Sequence, residues 1–279
     1  MSVCARGLDC ARLRARRSLR YRDRAVRRGP TRARRRAAVC GPGSFRSVTG
    51  RLRGVLLVFA KEPEPGRVKT RMVPPLSPQQ ASDLYGEMLQ DVLIASGRIA
   101  VEIGLAPVLV VDPPRAAAAL ARRAPTEFRI VPQRGADLGE RMEWAIREAA
   151  ASGANRILLR GSDSPTLDLE RIEAVLASLD EFDLAISPDL SSGYNLLGVR
   201  KPTPGLFDLP MSTRTVLEDT LANAAALGLR TEVQPASFDV DTVNDLNRLA
   251  AARAGPGASY VADMCPRTLS FLDAEGLWP

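Results

Sequence analysis

The chain has 279 residues, of which 45% are apolar and 25% charged, with a formal net charge of +7. That length holds one large domain or two small ones, and the apolar share is enough for a sizeable core. There is no histidine, which excludes a Ser-His-Asp triad, a Cys-His dyad and any histidine-ligated metal.

The charge is unevenly spread. Residues 1–53 carry 17 Arg against Asp9 and Asp23, whereas residues 54–279 carry 22 Lys plus Arg against 30 Asp plus Glu. The part able to fold is acidic, so whole-chain charge is no nucleic-acid footprint. Residues 1–50 have no apolar period and read as a disordered Arg-rich leader. A phosphate-seeking tail, an organellar transit segment and translated sequence ahead of a true start near Val48 or Val55 all fit it. The last is favoured, because the fold pattern begins abruptly at Gly54. Only through this leader is nucleic acid expected as a partner. Cys4, Cys10, Cys40 and Cys265 lack zinc-ligand spacing and read as free thiols of a reducing compartment. With no membrane-length apolar run and no signal h-region, the expected location is cytoplasmic.

From Gly54 strands and helices alternate. Gly54–Ala60 is a continuous apolar run, as in a strand covered on both faces. The loop after it, Lys61-Glu62-Pro63-Glu64-Pro65-Gly66-Arg67-Val68-Lys69-Thr70-Arg71, holds two of the chain's three Lys beside 36 Arg in all. A compact ammonium on a flexible stem suits a phosphate oxygen. An ATPase P-loop is excluded, since no Gly stands beside Lys69 or six positions before it. Lys69, Thr70 and Arg71 remain as cation, hydroxyl and guanidinium, with backbone amides near Gly66, able to neutralise a triphosphate. A solvated basic turn is the blander alternative.

Ser77-Pro78 opens a helix to about Ser96. Pro107–Val111 is a strand, an Ala-rich helix reaches Arg123, and Phe128–Val131 is the next strand. Asp137 and Glu140 start a helix to Ala151, leaving Gln133, Gly135 and Arg141 in its leading loop unexplained by capping. Arg156–Leu159 is a strand ending in Gly161-Ser162-Asp163-Ser164-Pro165. Asp163 there can hold Mg²⁺, a hard ion that takes few protein oxygens; it also reads as an Asx-turn closing the strand.

A helix at Leu169–Leu179 precedes a strand at Leu184–Ser187, and Ser191–Val199, with Gly193 and Tyr194, reads as a return strand. Thr213–Leu227 is helical, Thr231–Val233 a short strand and Thr242–Ala252 a helix with Thr242 and Asp245 in capping-box positions. Just before it, Asp239 and Asp241 alternate on an extended stretch and offer a second metal ligand. The domain is expected over 54–252, with 253–279 a C-terminal tail. This rhythm predicts an α/β fold with a mostly parallel sheet, and ligands bind beyond the carboxyl ends of such strands.

The runs Phe59-Ala60-Lys61 with Pro65-Gly66-Arg67-Val68-Lys69-Thr70-Arg71, Asp137-Leu138-Gly139-Glu140-Arg141-Met142, Gly161-Ser162-Asp163-Ser164-Pro165, Gly193-Tyr194 with Leu197-Gly198, and Asp239-Val240-Asp241-Thr242 occur in this order. Together they resemble a bacterial glycosyltransferase-A-like family of the nucleotide-diphospho-sugar transferase superfamily. That family is related to the 2-phospholactate and molybdenum-cofactor guanylyltransferases and is often labelled as arsenosugar glycosyltransferases. The resemblance covers about residues 54–250. It implies a three-layer α/β/α Rossmann-like fold, nucleotide binding and a divalent cation, Mg²⁺ or Mn²⁺. By position it places Lys69 and Arg71 on nucleotide phosphates, Asp163 on the metal and Asp241 near a second metal position. Gln133 and the segment Leu138, Gly139, Glu140 and Arg141 fall near the base or acceptor. Two departures stand out: Asp189-Leu190-Ser191-Ser192-Gly193-Tyr194 replaces an acidic-Gly-Gly-Tyr run, and Ser164 stands where Cys is common.

The expected function is Mg²⁺-dependent nucleotidyl transfer from a nucleoside triphosphate to a small phosphorylated acceptor, catalysed through Lys69, Arg71 and Asp163, with pyrophosphate released. Lys61, Gly66 and Thr70 complete the expected nucleotide loop. The alternatives are a glycosyltransferase using a nucleotide sugar and a catalytically silent nucleotide-binding protein. A glycosyltransferase would be expected to pair carboxylates as Asp-x-Asp at the strand end, where this chain has Gly161 and Pro165.

Overall fold

A computed structural model describes residues 38–39 and 53–279. Eight strands form one sheet: β1 (Ala38–Val39), β2 (Gly54–Lys61), β3 (Leu105–Asp112), β4 (Arg129–Pro132), β5 (Ile157–Arg160), β6 (Leu184–Pro188), β7 (Tyr194–Val199) and β8 (Thr231–Val233). Their spatial order is β1-β4-β3-β2-β5-β7-β6-β8. Every pairing is parallel except the two made by β7. The helices are α1 (Pro78–Ile103), α2 (Ala117–Arg123), α3 (Leu138–Ala151), α4 (Leu169–Ser178), α5 (Val216–Ala226), α6 (Val243–Ala254), α7 (Ala258–Met264) and α8 (Pro266–Ala274). None is long and apolar enough to cross a membrane.

The continuous apolar run of β2 is explained by burial on both faces. Alternate residues along a strand point to opposite sides. Leu56, Val58 and Ala60 pack with Leu109 and Val111 under Leu89, Val92 and Leu93 of α1 and Ile172 and Val175 of α4. Val55 and Leu57 pack with Val108 and Val110 under Met142, Ala145 and Ile146 of α3. This is the α/β, Rossmann-like, three-layer arrangement. Because β2 to β5 run parallel, the turns after Lys61, Asp112, Pro132 and Arg160 share one edge.

Two differences from the sequence reading have physical causes. Helix α1 continues to Ile103, past Ser96 and Gly97. Both are weak helix formers, but Ser96 is fully buried, and a Cβ at Gly97 would come within 3.1 Å of the Phe128 ring. Close packing, not propensity, decides there; the helix stops at Gly104, whose φ is +74. Residues 255–279, expected as a tail, form α7 and α8 within the same compact unit as the sheet. Val261, Cys265, Leu269 and Leu272 join Met72, Leu84, Met88, Val240, Leu246 and Leu249 in a third apolar cluster. The apolar residues of that segment are the inner faces of two short helices. The Arg-rich segment expected as a disordered leader lies outside the described residues, apart from β1, which pairs Ala38 with Arg129, and Arg53.

Candidate functional site

The loop after β2 is shaped by two left-handed residues. Gly66 has φ +75, a region Gly enters freely. Lys69 has φ 48 and ψ 34 and leads a 3-10 turn over Thr70–Met72, where Met72 N–H donates to the Lys69 carbonyl at 2.9 Å. A non-glycine residue in this conformation is uncommon and calls for a tertiary hold. Met72, completely buried in the third cluster, supplies it, and the strained backbone aims the Lys69 side chain inward.

The turn after β5 is braced from below. The Arg160 guanidinium, 2% exposed, donates to the Ser164 carbonyl at 2.6 Å, the Gly161 carbonyl at 3.3 Å and Ser96 Oγ at 3.0 Å. From the third segment, Val240 N–H donates to the Asp163 carbonyl at 2.8 Å and Ser164 Oγ donates to Asp239. The capping box of α6 fixes the next residue: Asp245 Oδ2 accepts from Asp241 N–H at 3.2 Å and Thr242 N–H at 2.8 Å.

These supports bring four charges to one place. Lys69 Nζ donates to Asp241 Oδ1 at 2.8 Å and to Asp163 Oδ1, and Arg71 donates to Asp241 Oδ2. The Lys69 side chain is 2% exposed, against 39% for Asp163 and 24% for Asp241. Burial opposes the Lys69 charge, but Asp163 and then Asp241 outweigh it and hold the ammonium above its ordinary pKa. Burial likewise opposes the Asp241 charge, yet Lys69, with Arg71 and Lys61 behind it, holds that carboxyl below the usual range. Tyr85 hydroxyl accepts from Lys61 N–H at 2.9 Å and bonds Ser162 Oγ at 2.8 Å, tying the two strand ends together.

A cavity of about 430 Å³ opens over this cluster, within the range of small-molecule sites. Lys61, Lys69, Thr70, Arg71, Gln133, Leu138, Arg141, Asp163 and Asp241 all line it. Gln133 Nε2 donates to the carbonyls of Val110 at 3.0 Å and Ala60 at 3.4 Å, locking the amide at the strand ends. Arg141 pairs with Asp112 at 3.2 Å and donates from Nε to the Gly135 carbonyl at 3.1 Å.

Four expected residues are not on the lining. Glu140 turns back to accept from Ala136 N–H at 2.7 Å. Gly66 shapes its turn. Gly139 admits the Phe207 carbonyl, which would lie 2.5 Å from any Cβ there. Asp239 does not share the facing of Asp241: it accepts from Ser164, and burial, then the charge of Asp163, pushes its carboxyl up to about 7.

Sequence reasoning missed Phe59, Val68, Tyr85, Ser162 and Ser212 on the lining. Tyr85 sits at core spacing on α1, so nothing separated it from a packing residue. Ser212, at φ +64, stands at the edge of a stretch with no periodic signal. The departing segment at 189–194 is a tight turn in which Asp189 Oδ1 accepts from Ser191 N–H and, at 3.2 Å, from Gly193 N–H. It does not line the cavity.

A family model described as "Uncharacterized protein conserved in bacteria (DUF2064)" matches residues 95–213. The chain is 31% identical over 195 residues to the phosphoenolpyruvate guanylyltransferase of Sphaerobacter thermophilus, covering 68% of this chain and 90% of that one. A crystal structure from Desulfovibrio desulfuricans G20, provisionally assigned as a nucleotide-diphospho-sugar transferase, superposes with a TM-score of 0.64 at 29% identity, covering 79% of this chain and 98% of that one.

Proposed function

Since this chain belongs to the nucleotidyltransferase family that contains phosphoenolpyruvate guanylyltransferase, we propose that it transfers a nucleotidyl group from a nucleoside triphosphate to a small phosphorylated acceptor. The observation that carries the reading is the convergence of Lys69 and Arg71 with Asp163 and Asp241 at the floor of one cavity. A lysine on its flexible four-carbon stem and an exposed Arg suit the β- and γ-phosphates, and a carboxylate pair suits a hard cation.

Among the described residues no group of three or more acidic or thiol side chains forms a ready metal cage. Mg²⁺ does not need one, since it binds through one or two carboxylates and takes its remaining oxygens from substrate phosphates and water. Asp163 and Asp241 already converge on a single cationic atom, so the donor set fits. Those two would hold the ion, with Asp239 engaged by Ser164. When bound it would polarise the phosphoryl oxygens and offset developing charge.

The chain's own residues account for the remaining requirements. An acceptor phosphate oxygen attacks the α-phosphorus in line, forming a P–O–P bond while the bond to the β-phosphate breaks and pyrophosphate leaves. Lys69 and Arg71 neutralise charge on the departing pyrophosphate. The attacking phosphate is ionised at neutral pH, so no general base is needed, which suits a chain without histidine. Gln133 and Arg141, which also line the cavity, orient the base or acceptor.

Pyrophosphate release and ³¹P spectra of the product, measured with Mg²⁺ and each nucleoside triphosphate, test the reading. GTP with phosphoenolpyruvate, the pair named for the Sphaerobacter relative, is the first combination. Asp163→Ala is expected to lower kcat by roughly 100- to 1000-fold; full turnover in that variant would remove Asp163 from the site. A glycosyltransferase reading draws on the Desulfovibrio relative. Sugar transfer from a nucleotide sugar, without pyrophosphate, would establish it instead.

A further inference from the structure

The buried ammonium at the carboxylate pair has a consequence for how ligands enter. Lys69 Nζ lies 2.8 Å from Asp241 Oδ1 and bonds Asp163 Oδ1, with almost none of its side chain in contact with solvent. It therefore sits at the point on which both carboxylates converge. An ammonium has three donors and no acceptors, and two of those donors are spent here.

We propose that the Lys69 ammonium stands in for the divalent cation in the ligand-free protein, so that metal and triphosphate enter by a coupled exchange. In that exchange Lys69 passes from the carboxylates to phosphate. The inference rests on the reading of the site given above. Each ligand alone meets an obstacle. A metal ion entering alone must displace the ammonium and leave a buried cation without a partner, which is costly. A triphosphate entering alone meets a Lys69 already neutralised by two carboxylates. Entering together, the ion takes the carboxylates and the triphosphate takes the lysine, so every charge is paired before and after.

The backbone permits the move. Lys69 leads the 3-10 turn, and Thr70 and Arg71 beside it also face the cavity. Its four-carbon stem lets the ammonium swing while Met72 keeps the turn anchored. Arg71, 61% exposed and bonded to the other oxygen of Asp241, remains to steady that carboxylate during the exchange. Coupling of this kind is reciprocal: each ligand tightens the other by the same factor.

The test uses the full chain without nucleotide. Mn²⁺ binding is followed by loss of the free-ion electron paramagnetic resonance signal, and inorganic triphosphate binding in EDTA by calorimetry. Lys69→Met, although it removes a phosphate-binding group, is expected to bind Mn²⁺ at least tenfold more tightly than the parent chain. Asp241→Asn, which loosens the hold on Lys69, is expected to bind metal-free triphosphate at least tenfold more tightly. Lys69→Gln is the parallel variant should Lys69→Met fail to fold, and the same gain in Mn²⁺ affinity is expected of it. Unchanged or weaker Mn²⁺ binding in the folded Lys69 variants, with the parent chain binding Mn²⁺ normally, would overturn the exchange and leave the metal assignment standing. Mn²⁺ binding by none of the proteins would overturn both.

Discussion

Arg160 is the residue on which the acidic turn hangs. Its three hydrogen bonds reach both carbonyls flanking Ser162 and Asp163 and cross to Ser96 on α1. Burial pushes the guanidinium pKa down to about 10, with Asp239 and Tyr260 opposing the fall. Removing the cation while keeping its bulk strands two carbonyls in the interior. Arg160→Met should therefore destabilise the protein by about 2–4 kcal/mol in urea unfolding. Arg160→Lys should recover only part of that, because one ammonium cannot reproduce a planar fork. A midpoint unchanged in both variants would show that the turn stands without its brace. Lys69 stood out in the sequence as one of three Lys among 36 Arg, and Asp163 by its place where a strand stops. Asp239 and Asp241 could not be told apart there, since only the fold turns Asp239 to Ser164 and Asp241 to Lys69. Arg160 was not: at the end of a short apolar strand it reads as an ordinary boundary charge, and its meaning lies in Ser96, 64 positions earlier.

Among the elements, the same contrast separates helices that could be read from those that could not. Ser77 with Gln80, Asp137 with Glu140 and Thr242 with Asp245 are caps closed within three residues, so the starts of α1, α3 and α6 are written locally. The start of α8 is capped from a distance. Asp91 on α1 accepts from Thr268 N–H and Oγ1, both at 2.8 Å, and from Arg267 N–H at 3.2 Å. Glu87, one turn earlier, pairs with Arg267 at 2.7 Å. No local signal in 255–279 could announce this, which is why that segment read as a tail. Asp91→Ala leaves a buried N–H and hydroxyl unpaired and should cost about 1–3 kcal/mol by thermal or denaturant unfolding. No loss of stability would show that apolar packing alone seats α8. The sheet itself was readable because apolar runs and turn residues repeat along it. The exception, antiparallel β7, was anticipated from Gly193 and Tyr194 as a return strand.

In the whole molecule, cations are concentrated where the body is otherwise acidic. Residues 54–279 are net negative, yet Lys61, Arg67, Lys69, Arg71 and Arg141 gather at one cavity. Composition located the basic loop, but only the tertiary fold shows that its counter-charges are internal. The division of the apolar interior carries a further consequence. Asp163 hangs from β5, whose Leu158 and Leu159 belong to the two clusters flanking the sheet. Lys69 and Asp241 are held by Met72 and Val240 of the third cluster, shared with α6, α7, α8 and the first turns of α1, whose later turns pack in the first cluster. Regions with separate cores open as separate cooperative units, each with its own opening free energy. Native-state hydrogen exchange should then show Met72, Val240, Leu246, Leu249, Val261 and Leu269 opening together, apart from β2 and β5. Independent opening of the Met72 loop would contradict this. A ligand gripping Asp163 and Asp241 at once staples the two units, so its arrival should register as slowed exchange in α7 and α8, which do not line the cavity.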